Sequence, residues 1–229
     1  MYCSIIIPVL NEADGIAEFL QHLQTFRKAG HEIVVVDGGS TDSTPQLAKP
    51  YADKLVQTSS GRARQMNAGV HVADGEVLVF VHADTFLPGS AMQDIKQGLE
   101  KSKKVWGRFA VRLSGHQFLF RIIELMMNMR SCLTGVATGD QVIFIKRDVF
   151  SEAGYFDDMP LMEDVAMSKK LKGISRPCCL SSKVCTSSRR WEQHGIIRTV
   201  FLMWILRLRY WLGTSPDILV QHYYKKKYD

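Results

Sequence analysis

A chain of 229 residues, 46% of them hydrophobic, can bury one substantial core, with room for a single α/β domain and a small C-terminal appendage. Its 29 Lys+Arg outnumber 23 Asp+Glu for a formal charge of +6, and part of the excess sits in Arg198, Arg207, Arg209 and Lys225-Lys226-Lys227. That balance suits a polyanionic substrate, an anionic membrane surface or a plain solvated basic face, while the lack of a recognised reader motif among the basic residues argues against nucleic acid.

The elements alternate from the start. Cys3–Val9 reads as a strand, Ile16–Lys28 as an amphipathic helix, Glu32–Val36 as a strand, Thr44–Ala52 as a helix and Lys54–Gln57 as a strand. Arg62–Val72 follows as a helix, Glu76–Val81 as a strand and Gly89–Lys101 as a helix. Such alternation builds βαβ units, so the expected fold class is α/β, a mostly parallel sheet flanked by helices. Further on, Trp106–Ser114 alternates as a strand, Phe118–Cys132 is an apolar helix rich in Met, Asp140–Lys146 is a strand, and a helix starts near Glu163. Gly195–Leu212 is apolar nearly all round, with Trp204, Tyr210 and Trp211 among arginines; it either packs into a core or lies at a membrane interface. Arg198 and Arg207 bracket its longest apolar run, which argues against a spanning helix. Ile5-Ile6-Ile7 is too short for a secretory segment and has no positive region before it. Five cysteines form no Cys-x-x-Cys pair, and the neighbours Cys178 and Cys179 cannot staple two strands, so reduced thiols and a cytoplasmic location are expected.

Two apolar runs end beside acidic and small polar residues: Ile5–Pro8 before Asn11-Glu12, and Val34-Val35-Val36 before Asp37-Gly38-Gly39-Ser40-Thr41-Asp42. Open α/β sheets bind ligands at the carboxyl ends of their strands, which puts Asp37 at a ligand-facing edge. Asp37 and Asp42 can instead cap the next helix, and Thr41-Asp42-Ser43-Thr44-Pro45 has the composition of a helix start. A third acidic site, His82-Ala83-Asp84, follows the run Val77–Val81; a carboxylate there can hold a divalent cation that bridges phosphate oxygens. The first strand–helix turn, Pro8–Gly15, lacks Gly-x-Gly-x-x-Gly, which disfavours nicotinamide or flavin.

Jointly, Ile5–Glu12, Val35–Asp42, Gly61-Arg62-Ala63-Arg64-Gln65-Met66-Asn67-Ala68-Gly69, His82-Ala83-Asp84 and Met162-Glu163-Asp164 resemble the motifs of family 2 glycosyltransferases of the GT-A fold, in that family's order over residues 3–172. The small single-domain bacterial members are the most similar. The resemblance implies a metal-dependent transferase that moves a sugar from a nucleotide diphosphate-sugar donor to an unidentified acceptor, inverting by direct displacement. It divides the chain into a nucleotide-sugar-binding catalytic domain over 1–185 and a helical, basic segment over 186–229.

By the same resemblance Pro8, Asn11 and Glu12 line the nucleotide pocket, and Asp37 accepts from the base edge. Arg62, Arg64 and Asn67 face the base and diphosphate, where guanidinium groups suit phosphate oxygens. Asp84 corresponds to the last carboxylate of the family's Asp-x-Asp metal motif, with His82 in place of the first; the implied cofactor is Mn2+ or Mg2+. Asp164 corresponds to the general base, with Glu163 beside it, although two acids in a first helical turn are also what the helix dipole favours. Ser187-Ser188-Arg189-Arg190-Trp191 is similar to the Gln-x-x-Arg-Trp of processive members, but serine stands for glutamine, so processive synthesis is not expected. Arg190 would contact the diphosphate and Trp191 the acceptor, and His194 is a further candidate metal ligand. A lipid-linked acceptor and a peripheral position at the inner face of the cell membrane complete the expectation. The rival is a catalytically silent nucleotide-sugar binding module. A nucleotidyltransferase would carry a glycine-rich, lysine-containing loop after its first strand, which is not found.

Overall fold

The computed structural model describes residues 1–225, without the side chains of Arg190, His194, Tyr224 and Lys225. The proposed roles of Arg190, His194 and the lysine tail therefore fall outside the described residues. Eight strands, β1 (Cys3–Val9), β2 (Glu32–Asp37), β3 (Lys54–Gln57), β4 (Val77–Phe80), β5 (Thr85–Phe86), β6 (Trp106–Leu113), β7 (Ile143–Lys146) and β8 (Cys178–Thr186), form one sheet in the order β3-β2-β1-β4-β7-β6-β8-β5. The first four are mutually parallel. β7 runs antiparallel to both β4 and β6, β8 is parallel to β6, and β5 closes the far edge antiparallel to β8.

Helices cover both faces: α1 (Ile16–Lys28), α2 (Thr44–Ala48), α3 (Arg62–Val72), α4 (Ala91–Ser102), α5 (Phe118–Thr134), α6 (Arg147–Glu152), α7 (Glu163–Ile174), α8 (Arg189–His194), α9 (Ile196–Trp211) and α10 (Pro216–Lys225). Strand alternation sorts the core. Ile5, Ile7, Ile33 and Val35 pack with Phe19, Leu20 and Leu23 of α1 and Ile95 of α4, while Ile6, Val34 and Val36 pack with Met66 and Val70 of α3 and Phe150 of α6. Strands buried on both faces read as continuous apolar runs, which is why β1, β2 and β4 were legible. Gly69 sets the approach of α3, since a Cβ there would lie 2.5 Å from Ile6 Cγ2.

Three expectations need correction. β6 does not alternate in burial: every residue but Arg112 is buried, because the strand lies inside the sheet between β7 and β8. The strand expected from Asp140 starts only at Ile143; Gly139–Gln141 is a 3-10 turn, followed by Val142 with a left-handed φ of 52°. The cysteines are not all free thiols, for Cys132 at the end of α5 is bonded to Cys179 on β8, with Cα atoms 6.0 Å apart. A pair 47 residues apart leaves no spacing signal, and its presence withdraws the argument from thiols to a reducing compartment. At the C-terminus, Leu206 of α9 and Leu219 of α10 pack on Met162 and Val165 at the start of α7. Among the described residues no helix is long and apolar enough to cross a membrane.

Candidate active site

The carboxyl ends of β1 and β2 are tied together by side chains. Asp37 is buried, and a buried carboxylate requires donors. It finds them in its own loop: its oxygens accept from the N–H groups of Gly39 and Ser40 and from the Ser40 hydroxyl. Ser40 Oγ in turn accepts from Asn11 N (2.9 Å), and Asn11 Oδ1 accepts from Thr41 N (2.9 Å). Asp42 accepts from Ala13 N and Thr44 N, and the Thr44 hydroxyl accepts from Glu12 N. Hydrogen bonding by Thr44 above all holds the Asp42 carboxyl below its ordinary pKa. Asp37, Asp42 and Asn11 thus tie the two strand ends into one wall. Pro8 stands at the open end of β1, which pairs with β4 only as far as Ile6.

Sequence reasoning passed over the residue that joins the two strand ends. Gln65 of α3 is buried and donates from Nε2 to Val9 O (2.8 Å) and Val36 O (2.9 Å). Its neighbours were expected to face the donor, yet two of them are occupied. Arg64 pairs through Nε with both oxygens of Asp158 (2.8 and 2.9 Å), and Asn67 exchanges two hydrogen bonds with the backbone of Phe156. Both pin the loop before α7. Arg62, at the first turn of α3, lies within electrostatic reach of Glu12, Asp140 and Glu163.

The pairing of β5 with β8 brings the His82–Asp84 turn beside α8: Thr85 opposes Thr186, and Ser187 N donates to Asp84 O (3.2 Å). Asp84 is solvent-exposed and faces Glu12 across the edge. Partial desolvation and then Asp84 raise the Glu12 pKa, while Arg189 and Arg62 oppose the shift. Arg189, not singled out from the sequence, therefore belongs to this rim. Trp191 is half-buried on α8, and its backbone N–H donates to Ser188 O (2.8 Å).

The deeper pocket is lined by Met66, Phe80, His82, Gly139, Ile143, Phe156, Glu163 and Asp164. Met162, left-handed at φ 73°, turns the chain into α7 so that both acids of its first turn meet this pocket. Asp164 Oδ2 accepts from Gly139 N (2.8 Å) and Oδ1 from Val165 N (2.7 Å), which fixes the carboxylate and leaves a lone pair on each oxygen. Glu163 is buried; loss of solvent, then the neighbouring Asp164, push its pKa up. His82 does not turn toward Asp84. Its ring lies against Gly139, where a Cβ would come within 2.5 Å, and Nδ1 sits 3.7 Å from Asp140 Oδ1. Desolvation raises the Asp140 pKa, but His82, Arg62 and Arg207 outweigh it and leave the carboxyl below its ordinary value.

Two arginines from distant segments lie within electrostatic reach of these acids. Arg207 of α9 is charge-coupled to Asp164 and Asp140, and Arg130 of α5 to Arg207 and Asp164. Burial pulls the Arg130 pKa down to about 10, with Arg207 adding to the effect. Among the described residues no group of three or more His, Cys, Asp or Glu gathers around one point. Asp84 alone still fits a hard cation that arrives with a diphosphate, because Mg2+-type ions are commonly held by one or two carboxylates plus substrate phosphates. His82 does not fit as a ligand while it is packed on Gly139 and turned to Asp140.

This edge, with acids at three strand ends and a carboxylate pair at a helix start, can be compared with known proteins. Residues 4–131, more than half of the chain, match the sequence model of Glycosyl transferase family 2. The chain belongs to that family. The family member is 35% identical over 103 residues to the poly(ribitol-phosphate) beta-N-acetylglucosaminyltransferase TarS of Staphylococcus aureus, a match covering 41% of this chain and 18% of TarS. The crystal structure of S. aureus TarS 1–349 in complex with UDP superposes with a TM-score of 0.67 at 21% identity, covering 82% of this chain and 60% of that one. The mannosyltransferase PcManGT from Pyrobaculum calidifontis, in complex with GDP-Man and Mn2+, gives 0.65 at 20% identity, covering 97% and 69%. The fold of this family 2 chain is thus GT-A, and the sequence match spans less than a fifth of full-length TarS.

Proposed function

We propose that the chain is a divalent-cation-dependent glycosyltransferase that uses a nucleoside diphosphate sugar and inverts the anomeric centre in one displacement, with Asp164 as general base. The observation that carries this reading is the fixed Asp164 carboxylate, held by Gly139 N and Val165 N in the pocket at the strand ends. A base must be positioned before it is useful. Asp164 accepts the proton of an acceptor hydroxyl as that oxygen bonds to the anomeric carbon and the nucleoside diphosphate departs. Glu163, whose burial favours its protonated form, serves as a hydrogen-bond donor beside it and not as a second base. Arg62 and Arg189 sit at the rim where diphosphate charge grows. When bound, a cation would neutralise the departing diphosphate, and Asp84 would hold it.

The UDP and GDP-Man complexes of the structural neighbours support a nucleotide-sugar donor, and the Mn2+ in PcManGT supports the cation. Residues 1–185 form the catalytic part in this proposal, and 186–229 close the acceptor side. Peripheral association with the inner face of a membrane, and a membrane-proximal acceptor, belong to the same proposal. The silent binding module remains the second reading, favoured by the histidine at position 82, which leaves Asp84 without a carboxylate two residues before it. Incubating the purified chain with UDP- and GDP-sugars and Mn2+, and measuring released nucleoside diphosphate, separates the two: turnover of at least one donor supports the transferase, and binding without release supports the module.

A further inference from the structure

The outward faces of α5 and α9 carry apolar stripes. On α5, Phe118, Ile122, Leu125, Met129 and Leu133 are 41–76% exposed, whereas Phe120, Glu124, Met127 and Ser131 are buried. At ~100° per residue the exposed set spans an arc of roughly 80°, opposite the buried one. On α9, Ile197, Phe201, Trp204, Leu208 and Trp211 are 54–73% exposed and fall within an arc of similar width, away from the inward Thr199 and Leu206. Single exposed apolar residues are ordinary, but stripes this long mark a surface that meets something apolar.

Charge selects the occupant. The one acid of α5, Glu124, is buried against Leu113 N (2.7 Å) and Arg121, and α9 contains no acid. On the helical wheel Arg198 and Arg209 border the α9 stripe on one side and Arg207 on the other, while Arg130 borders the α5 stripe. A second copy of the chain, seated on the same face by two-fold symmetry, would set arginines against arginines. An anionic bilayer accepts the cations and the apolar stripes together, with Trp204 and Trp211 at headgroup level.

The end of α5 meets α9 in a seam, where Val136 packs against the cluster that holds Leu206, next to Arg207. Arg130 gives Nη1 to Val136 O (3.4 Å), and its buried Nε and Nη2 have no partner among the described residues. Both guanidinium groups reach Asp164 electrostatically, as described above. We propose that α5 and α9 together seat the protein on an anionic lipid bilayer, and that Arg130 and Arg207 between them receive the phosphate of a lipid acceptor beside Asp164. The second half rests on the transferase reading; the first does not.

The test is flotation of the full chain with phosphatidylcholine vesicles, with or without phosphatidylglycerol, at low and high salt. The wild-type protein should float with the anionic vesicles, less so at high salt. L125D/M129D and F201D/W204D should each cut the bound fraction about ten-fold or more. Both exposed pairs should leave the melting temperature and Mn2+-dependent UDP binding unchanged. Wild type that stays at the bottom, variants that float equally well, or a dimer in sedimentation that the same substitutions dissolve, would each overturn the docking. For the seam, titration with soluble dihexanoyl phosphatidic acid should show an affinity about ten-fold weaker in Arg207→Gln, as expected for loss of a charge-assisted contact; an unchanged affinity overturns the phosphate seat. Flotation without nucleotide-sugar turnover would keep the docking and remove the transferase reading.

Discussion

Gln65→Ala probes the joint on which the donor edge depends. The substitution removes two buried hydrogen bonds, to Val9 O at 2.8 Å and Val36 O at 2.9 Å. Val9 O also accepts from Gly38 N (2.9 Å), and Val36 lies inside the β1–β2 ladder, so the loss is of the amide bonds and not of every partner. Two net hydrogen bonds at about 1 kcal/mol each, plus the packing of a buried side chain and partial orphaning of a carbonyl, give roughly 2–4 kcal/mol. For a chain of this size that is a fall in Tm of about 4–16 °C. Differential scanning calorimetry reads it directly, and UDP titration should show weaker binding, because β1 and β2 present Asn11, Glu12 and the Asp37 loop. A Tm change below about 1 °C would refute the reasoning, since it would mean that the amide contributes no net stabilisation at the strand ends.

Further outcomes follow from other parts of the site. Asp84→Ala should abolish the Mn2+ dependence of nucleoside diphosphate binding in calorimetric titration while leaving the melt unchanged; retained dependence would place the cation elsewhere. Glu163→Gln should stabilise the protein more at pH 7 than at pH 4. The folded-state pKa lies above the unfolded value, so the ionised acid lowers stability progressively as pH rises through that window, and glutamine removes this cost. Thermal melts at the two pH values check this, and an equal or opposite difference would contradict it. Gly139→Ala should displace the His82 ring, which lies where the new Cβ would stand (2.5 Å), and lower turnover with little effect on UDP affinity. A variant with wild-type kcat would show that the ring has room to move.

What could be read from the sequence was local or periodic. β1, β2 and β4 announce themselves as apolar runs buried on both faces, and the motif order yields the family and its fold. What escaped depends on contacts between distant segments. The hydrogen bonds that Asp37 accepts from Gly39 and Ser40 have no signature in the sequence pattern. The pairing of Arg64 with Asp158 and of Asn67 with Phe156, about 90 residues on, is likewise invisible in the local motif. Arg207 registered only as the bracket of an apolar run, because its proximity to Asp164 exists only once α9 has folded onto α7. For α9 the sequence posed burial and membrane contact as alternatives, whereas the helix packs Leu206 inward and leaves Phe201 and Trp204 outward. The stripe on α5 had a signal in its 3–4 residue spacing, which went unread beside the Met-rich composition.

The central claim is that Asp164 takes the acceptor proton, and the most direct measurement compares single-turnover transfer by the wild-type chain, Asp164→Asn and Glu163→Gln with the same nucleotide sugar and Mn2+. Asparagine keeps an acceptor for one of the two backbone N–H groups, so the pocket should persist and donor binding should stay within about two-fold. The account predicts that Asp164→Asn slows transfer by roughly two to four orders of magnitude and that Glu163→Gln has a much smaller effect. Transfer by Asp164→Asn at the wild-type rate, or a collapse confined to Glu163→Gln, would contradict it.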